Sequence, residues 1–352
     1  MRELEQIKMF LNRSNFDGFT KKDLFIKRII GKEWGQDIAA LSNMAEALAN
    51  IARTKTGPDE DFKELLGEVV KRSIHPKVNP YKKQITKVSS LGGFGYYLEH
   101  LNIVLGCYRM IADDQYHELN TRITEHLVKL SNQSSNYHAK LIPWIRMKWA
   151  ADQAAIIYSI WLYDQNNGTS YHHELAENWV TIMRSEFTHQ SSGLYQTEVE
   201  RVKRYSKQPR GCSLSYLIYY MSFFNRNEAL TQWGLYKEKM HVSYGPIKGF
   251  REYLRGYKGG WNPDSGPVVF GLGIAATGLA YKTAKALGDD QTSHELFRII
   301  NPIAFLMRLA KPIPLINIIA SLGSDLLASS IILCAKSIQH ERLNSDIHDR
   351  DI

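Results

Sequence analysis

The chain has 352 residues, 44% hydrophobic and 23% charged, a composition that supports a large folded core and argues against a disordered chain. Its formal charge of +8 is scattered, the densest basic run (positions 201–210) is short, and no nucleic-acid-binding module is visible, so nucleic acid is not an expected partner. Cys107, Cys212 and Cys334 lie far apart with no CxxC pair, which argues against a disulfide framework or a structural zinc site.

The opening "MRELEQIKMFLNRSNF" has no apolar h-region, so a cytoplasmic location is expected. Residues 1–30 read as a helical lead-in, 31–340 as the main domain and 341–352 as a polar tail. Apolar residues then recur at helical spacing along most of the chain, and strand-like alternation is scarce. Six stretches are apolar around most of their circumference, as helices buried on several sides should be. In order they are "EWGQDIAALSNMAEALANIA", "GGFGYYLEHLNIVLGCYRMIA", "WIRMKWAADQAAIIYSIWLYD", "PRGCSLSYLIYYMSFFN", "DSGPVVFGLGIAATGLAYKTAKALG" and "LGSDLLASSIILCAKSI".

One early polar landmark in each, namely Asp37, Glu99, Asp152, Cys212, Asp264 and Asp325, gives successive intervals of 62, 53, 60, 52 and 61 residues. Each interval fits one helical hairpin with its loops. The helices between them, such as Glu60 to Lys71, His117 to Leu130 and His173 to Arg184, are more charged and one-sided. Connections such as Asp113-Asp114-Gln115 and Asp289-Asp290-Gln291 read as caps and turns rather than metal motifs. Six buried helices alternating with six half-exposed ones describe an all-α (α/α)6 toroid. The landmarks should then converge at the mouth where the inner helices begin.

The segment from Ile313 to Ala335 is long and apolar enough to suggest a bilayer span of roughly 20 residues. It holds Pro314, Gly323 and Asp325, so a buried toroid helix is favoured, with peripheral membrane contact as the alternative.

At the mouth, Asp264 in "GWNPDSGP" reads as a helix N-cap, with a glycine-rich approach carrying Tyr257 and Trp261 that suits a pocket wall. Asp152 stands in a stretch that reads as helical before it, so it is expected to be paired or to face a cavity, where burial would raise its pKa. Cys212 beside Arg210 in a first helical turn has the profile of a reactive thiol, against the plain alternative of a buried small hydrophobe. Asp152, Cys212 and Asp264 are the catalytic candidates. Trp34, Asp37, Tyr97, Glu99, His100, Tyr195, Glu198, Arg210, Tyr257 and Trp261 are the candidates for substrate binding. Glu99 and His100 are adjacent and point about 100° apart on a helix, so one of them is expected to line the cavity.

No phosphate loop, dinucleotide fingerprint or HExxH occurs, so neither cofactor nor metal is expected, and the toolkit is that of cofactor-free acid–base chemistry. "WIRMKWAADQA", "PRGCSLSY", "REYLRGYKGGWNPDSGPVVFGLGIAATGLA" and "LGSDLLAS" resemble bacterial (α/α)6-toroid proteins, largely uncharacterised, distantly similar to the linalool dehydratase/isomerase type. The resemblance implies a mouth pocket of Asp, His, Tyr and Cys groups, with Cys212 the one thiol that can be matched.

Three functions follow. The first is a cofactor-independent lyase or isomerase acting on a small, partly apolar substrate. The second is a carbohydrate-active enzyme with Asp152 and Asp264 about 5–9.5 Å apart and Trp34, Tyr257 and Trp261 as stacking platforms. The third is a non-catalytic helical binding protein, in which the mouth acids are consumed by caps and ion pairs.

Overall fold

In a computed structural model, the residues described are 2–13, 36–54, 60–199, 208–257, 265, 268–309 and 325–339. They form twelve α-helices: α1 Arg2–Leu11, α2 Gln36–Thr54, α3 Glu60–Ile74, α4 Gly95–Ile111, α5 His117–Asn132, α6 Ala150–Asn167, α7 Tyr171–Glu186, α8 Gly211–Phe224, α9 Arg226–Met240, α10 Ile274–Leu287, α11 Asp290–Leu309 and α12 Asp325–Ser337. Three two-stranded antiparallel ribbons accompany them: β1 Lys148–Trp149 with β2 Glu198–Val199, β3 His241–Tyr244 with β4 Ile247–Phe250, and β5 Val268–Val269 with β6 Leu272–Gly273.

The even-numbered helices close a ring in which each packs on the next, and α12 returns to α2. Their sequences explain the placement. α8, for example, buries ten of its fourteen residues, from Gly211 to Ser222, because it carries no formal charge and has apolar groups on every side. The outer helices bury only a stripe, as α5 does through Leu119, Ile123 and Leu127 at four-residue spacing. Helix α1 docks on α12 and α3 through Ile7, Phe10 and Leu11. Lys336 pairs with Glu3 at 2.9 Å, and Arg72 donates to the Leu11 carbonyl at 3.0 Å, which ties α1 to both neighbours.

At the ends where inner helices stop, the acidic turns do cap. The Asp113 carboxylate accepts from the Gln115 N–H at 3.0 Å, and Asp289 accepts from the Thr292 N–H at 3.0 Å. Asp164 accepts from the His172 N–H at 2.8 Å.

The starts of the inner helices are held differently. The Gly95 and Tyr96 N–H groups donate to the Lys140 and Leu141 carbonyls at 3.0 and 3.2 Å, Ala150 N–H to Thr197 at 3.1 Å, and Gly211 N–H to Glu252 at 2.9 Å. Each of these three starts is thus capped by backbone from the connection that leads into the next inner helix. Backbone of the neighbouring connection satisfies part of the free N–H groups at these starts. The backbones approach so closely that a Cβ on Gly95 would lie 2.7 Å from the Lys140 carbonyl, and one on Gly211 2.0 Å from that of Arg251.

Two expectations are corrected here. The stretch before Asp152 is not helical: Lys148 and Trp149 are extended and pair with β2, and α6 begins at Ala150, so Asp152 sits in its first turn. The helix expected to open at "DSGPVVFG" begins instead at Ile274, because Val268–Gly273 folds as a hairpin through a two-residue turn, Phe270-Gly271. The paired valines favour extended backbone, and both turn residues have positive φ, 51° and 83°, which ends any helix.

The axis of the ring is filled, not hollow. Lys282 of α10 is buried and donates to Asn43 at 2.9 Å and Glu46 at 2.8 Å, both on α2. Tyr219 of α8 donates to the other oxygen of Glu46 at 2.8 Å from across the ring, and the Lys282 ammonium lies 3.8 Å from its ring centroid. A charged pair is tolerable there because each oxygen of Glu46 is matched and the ammonium has a π face as well. The nearby Glu46 carboxylate and Cys334 push the Lys282 pKa up against its burial.

Candidate functional site

Above this column, toward the mouth where the inner helices begin, a second polar layer assembles from α2, α4, α6 and α8. His100 is fully buried. One ring nitrogen lies 2.7 Å from the Ser42 hydroxyl on α2, and the other lies 3.3 Å from the Tyr216 hydroxyl on α8. Tyr96 packs edge-on against the imidazole at 5.0 Å. Burial, and then the Lys282 charge beneath, push the His100 pKa down to about 3, so the ring is neutral at physiological pH.

Glu99 is also fully buried, with His100 Nε2 3.7 Å from one oxygen. Neither of its oxygens takes a hydrogen bond of ordinary geometry; what faces it is the second carboxylate, Asp152. Burial first, and the Asp152 charge next, hold Glu99 well above the usual carboxylate range. Two carboxylates this close cannot both ionise cheaply, so Glu99 keeps its proton while the half-buried Asp152 stands nearer the solvent. Adjacent Glu99 and His100 therefore both turn inward, Glu99 toward α6 and His100 between α2 and α8.

The third group at this mouth is one that sequence reasoning missed. Glu252 lies in the connection before α10 and is fully buried. It accepts from Arg210 Nε at 3.0 Å, from the Cys212 N–H at 3.2 Å and from the Cys212 thiol at 3.0 Å. Burial raises its pKa, opposed by Arg210 and by Cys212. Cys212 is thus buried against a carboxylate that Arg210 partly neutralises, with the guanidinium 3.7 Å from its sulfur. The signal for Glu252 was only a lone acid in "REYLRGYKGGWN", a stretch that reads as a loop.

Tyr97 turns outward and donates to the Ser73 carbonyl at 2.9 Å. Tyr195 is buried and donates to Glu228 at 2.6 Å, a carboxylate that Arg184 also binds, so it holds the outer layer. Glu198 lies in β2, paired opposite Trp149. Tyr257 is exposed near His189. Asp37 occupies the first turn of α2, half-buried. Trp34, Trp261 and Asp264 lie outside the described residues, as do positions 313–324 of the apolar segment. Among the described residues, no helix is long and apolar enough to cross a membrane, and no cluster of three or more His, Cys, Asp or Glu side chains could hold a metal.

A cavity of about 70 Å³ lies at the opposite mouth, lined by Glu46, Arg53, Tyr158, Trp161, Tyr219 and Phe223 among others. It has room for a few waters only.

The closed ring of hairpins defines the chain as an all-α (α/α)6 toroid. No protein-family model matches the chain, and no curated protein does. Among solved structures it is similar to the GH76A α-1,6-mannanase from Salegentibacter sp. HEL1_6, with a TM-score of 0.55 at 11% identity over 87% of this chain and 89% of that one. At that identity the likeness is one of fold. It supports the toroid class, and the finer resemblance to the linalool dehydratase/isomerase type finds no support in it.

Proposed function

We propose that the chain is a carbohydrate-active enzyme that cleaves glycosidic bonds by acid–base chemistry at the mouth where the inner helices begin. The observation that carries this reading is the Glu99–Asp152 pair at that mouth, in a toroid whose structural neighbour is a mannanase. Glycoside cleavage needs one carboxylate that is ionised and one group that holds a proton at the same pH. Asp152, nearer the solvent, is assigned the ionised role of base or nucleophile. Glu99 sits behind it as the protonated partner that keeps it ionised and oriented, and is a positioning residue. From the sequence, Asp264 is the candidate for the general acid, and Trp34, Tyr257 and Trp261 are the candidates for stacking on the sugar. Arg210, held by Glu252, supplies fixed positive charge at the rim.

The test is a screen of α- and β-linked oligosaccharides and polysaccharides, with α-1,6-mannan first, for new reducing ends. Cleavage that is lost in both Asp152→Asn and Asp264→Asn supports the assignment. A folded wild type that cleaves none of the panel removes it.

A second reading, elimination or isomerisation of a small, partly apolar substrate without a cofactor, is favoured by one contact: the Cys212 thiol on the buried Glu252 carboxylate. Cys212→Ser separates the two readings. Glycan cleavage survives the change, whereas an elimination that uses the thiol does not.

A further inference from the structure

Two hairpin tips stand side by side on the rim above α10. The turn of β5–β6 is Phe270-Gly271 and that of β3–β4 is Gly245-Pro246. Phe270 is 88% exposed, Ile247 49% and Tyr244 45%, so the two adjoining tips carry three exposed large apolar side chains. Phe270 has a φ of +51°, in a turn with two positive φ values where asparagine or glycine is favoured and a bulky residue is strained. A phenyl ring held in solvent at a strained position gains the fold nothing, and such strain persists mainly where it serves a function.

Hydrogen bonds tie the two tips together. The Tyr244 hydroxyl donates to the Phe270 carbonyl at 3.0 Å, and Arg251 donates to the Tyr244 hydroxyl at 3.3 Å. It is continuous with the candidate site, because the Glu252 N–H donates to the Gly271 carbonyl at 3.2 Å while the Glu252 side chain holds the start of α8. Two exposed aromatic rings on neighbouring tips, beside a guanidinium, suit a pyranose: apolar C–H faces on the rings, hydroxyls on the polar edge.

We infer that Phe270 and Tyr244 form an aromatic platform that holds a glycan chain on the rim, outside the site of cleavage. This rests on the carbohydrate reading above and adds a binding surface to it.

The experiment compares wild type with Phe270→Asn in native gels containing soluble yeast mannan, dextran or starch. Cleavage of short oligosaccharides, thermal unfolding and sedimentation with phosphatidylcholine/phosphatidylglycerol vesicles are followed in parallel. Relief of the turn strain is expected to raise Tm by roughly 2–4 °C, so loss of fold cannot explain the result. The platform predicts at least a tenfold weaker retardation by the polysaccharide that retards wild type, with the turnover of short oligosaccharides unchanged. Equal retardation of both proteins, or cleavage of short glycans by a wild type that no polymer retards, overturns the platform and leaves the carbohydrate reading standing. Vesicle binding lost in Phe270→Asn with polymer retardation unaltered reassigns the patch to a lipid surface. A wild type that neither cleaves nor binds any glycan ends both readings.

Discussion

Glu99, one turn into α4, lies wholly buried against Asp152 in the first turn of the neighbouring inner helix α6, and burial together with that second carboxylate holds it above the ordinary range. A carboxyl whose folded pKa is raised favours the fold below its unfolded pKa, near 4.5, and that contribution is lost as pH rises through the folded value. At neutral pH the pair therefore costs stability. Glu99→Gln should gain on the order of 1–2 kcal/mol at pH 8, and the gain should shrink toward pH 4. Thermal melts of both proteins across that range check the sign; a variant less stable than wild type at pH 8 contradicts it.

Gly211 is the tightest point of the non-local caps, since an added Cβ would meet the Arg251 carbonyl at 2.0 Å. Gly211→Ala is expected to lose about 2–3 kcal/mol, because two backbones must part and the Gly211–Glu252 bond goes with them. Gly234→Ala, where nothing lies within 4 Å, is the control and should be neutral or mildly stabilising. Urea unfolding of the two variants gives the comparison.

Lys282 and Glu46 form a buried pair at 2.8 Å in the axial column. Lys282→Met leaves the buried Glu46 carboxylate without its ammonium partner, with only the Tyr219 hydroxyl on its other oxygen, and should cost about 3–5 kcal/mol. Glu46→Gln added to it should recover a good part of that loss, since the stranded charge is gone. A double variant no more stable than Lys282→Met would mean that packing, rather than charge, holds the column.

The toroid was legible in the sequence because a helix buried on all sides cannot hide: stretches such as "GCSLSYLIYYMSFF" leave no polar face for solvent. Hairpin length also fixes the repeat even where a landmark misses its helix start, as Asp264 does by ten residues from Ile274. The caps of three helix starts were not legible, because they are carbonyls of Lys140, Leu141, Thr197 and Glu252, and a backbone carbonyl carries no residue signature. Glu252 was missed for the same reason, since only the fold brings it to Cys212. The Glu99–Asp152 contact joins positions 53 residues apart, and both acids were candidates. The hairpin at Phe270 was read as helix because its valines also fit an apolar helical run.

The most direct test of the central claim is reducing-end release by wild type and Asp152→Asn, measured side by side on whichever glycan of the panel wild type cleaves best. Both proteins should have superimposable circular dichroism and melting curves. A glycosidase site built on Asp152 predicts a fall in kcat of at least about 100-fold, with KM little changed. Retention of wild-type kcat by a folded Asp152→Asn protein contradicts it.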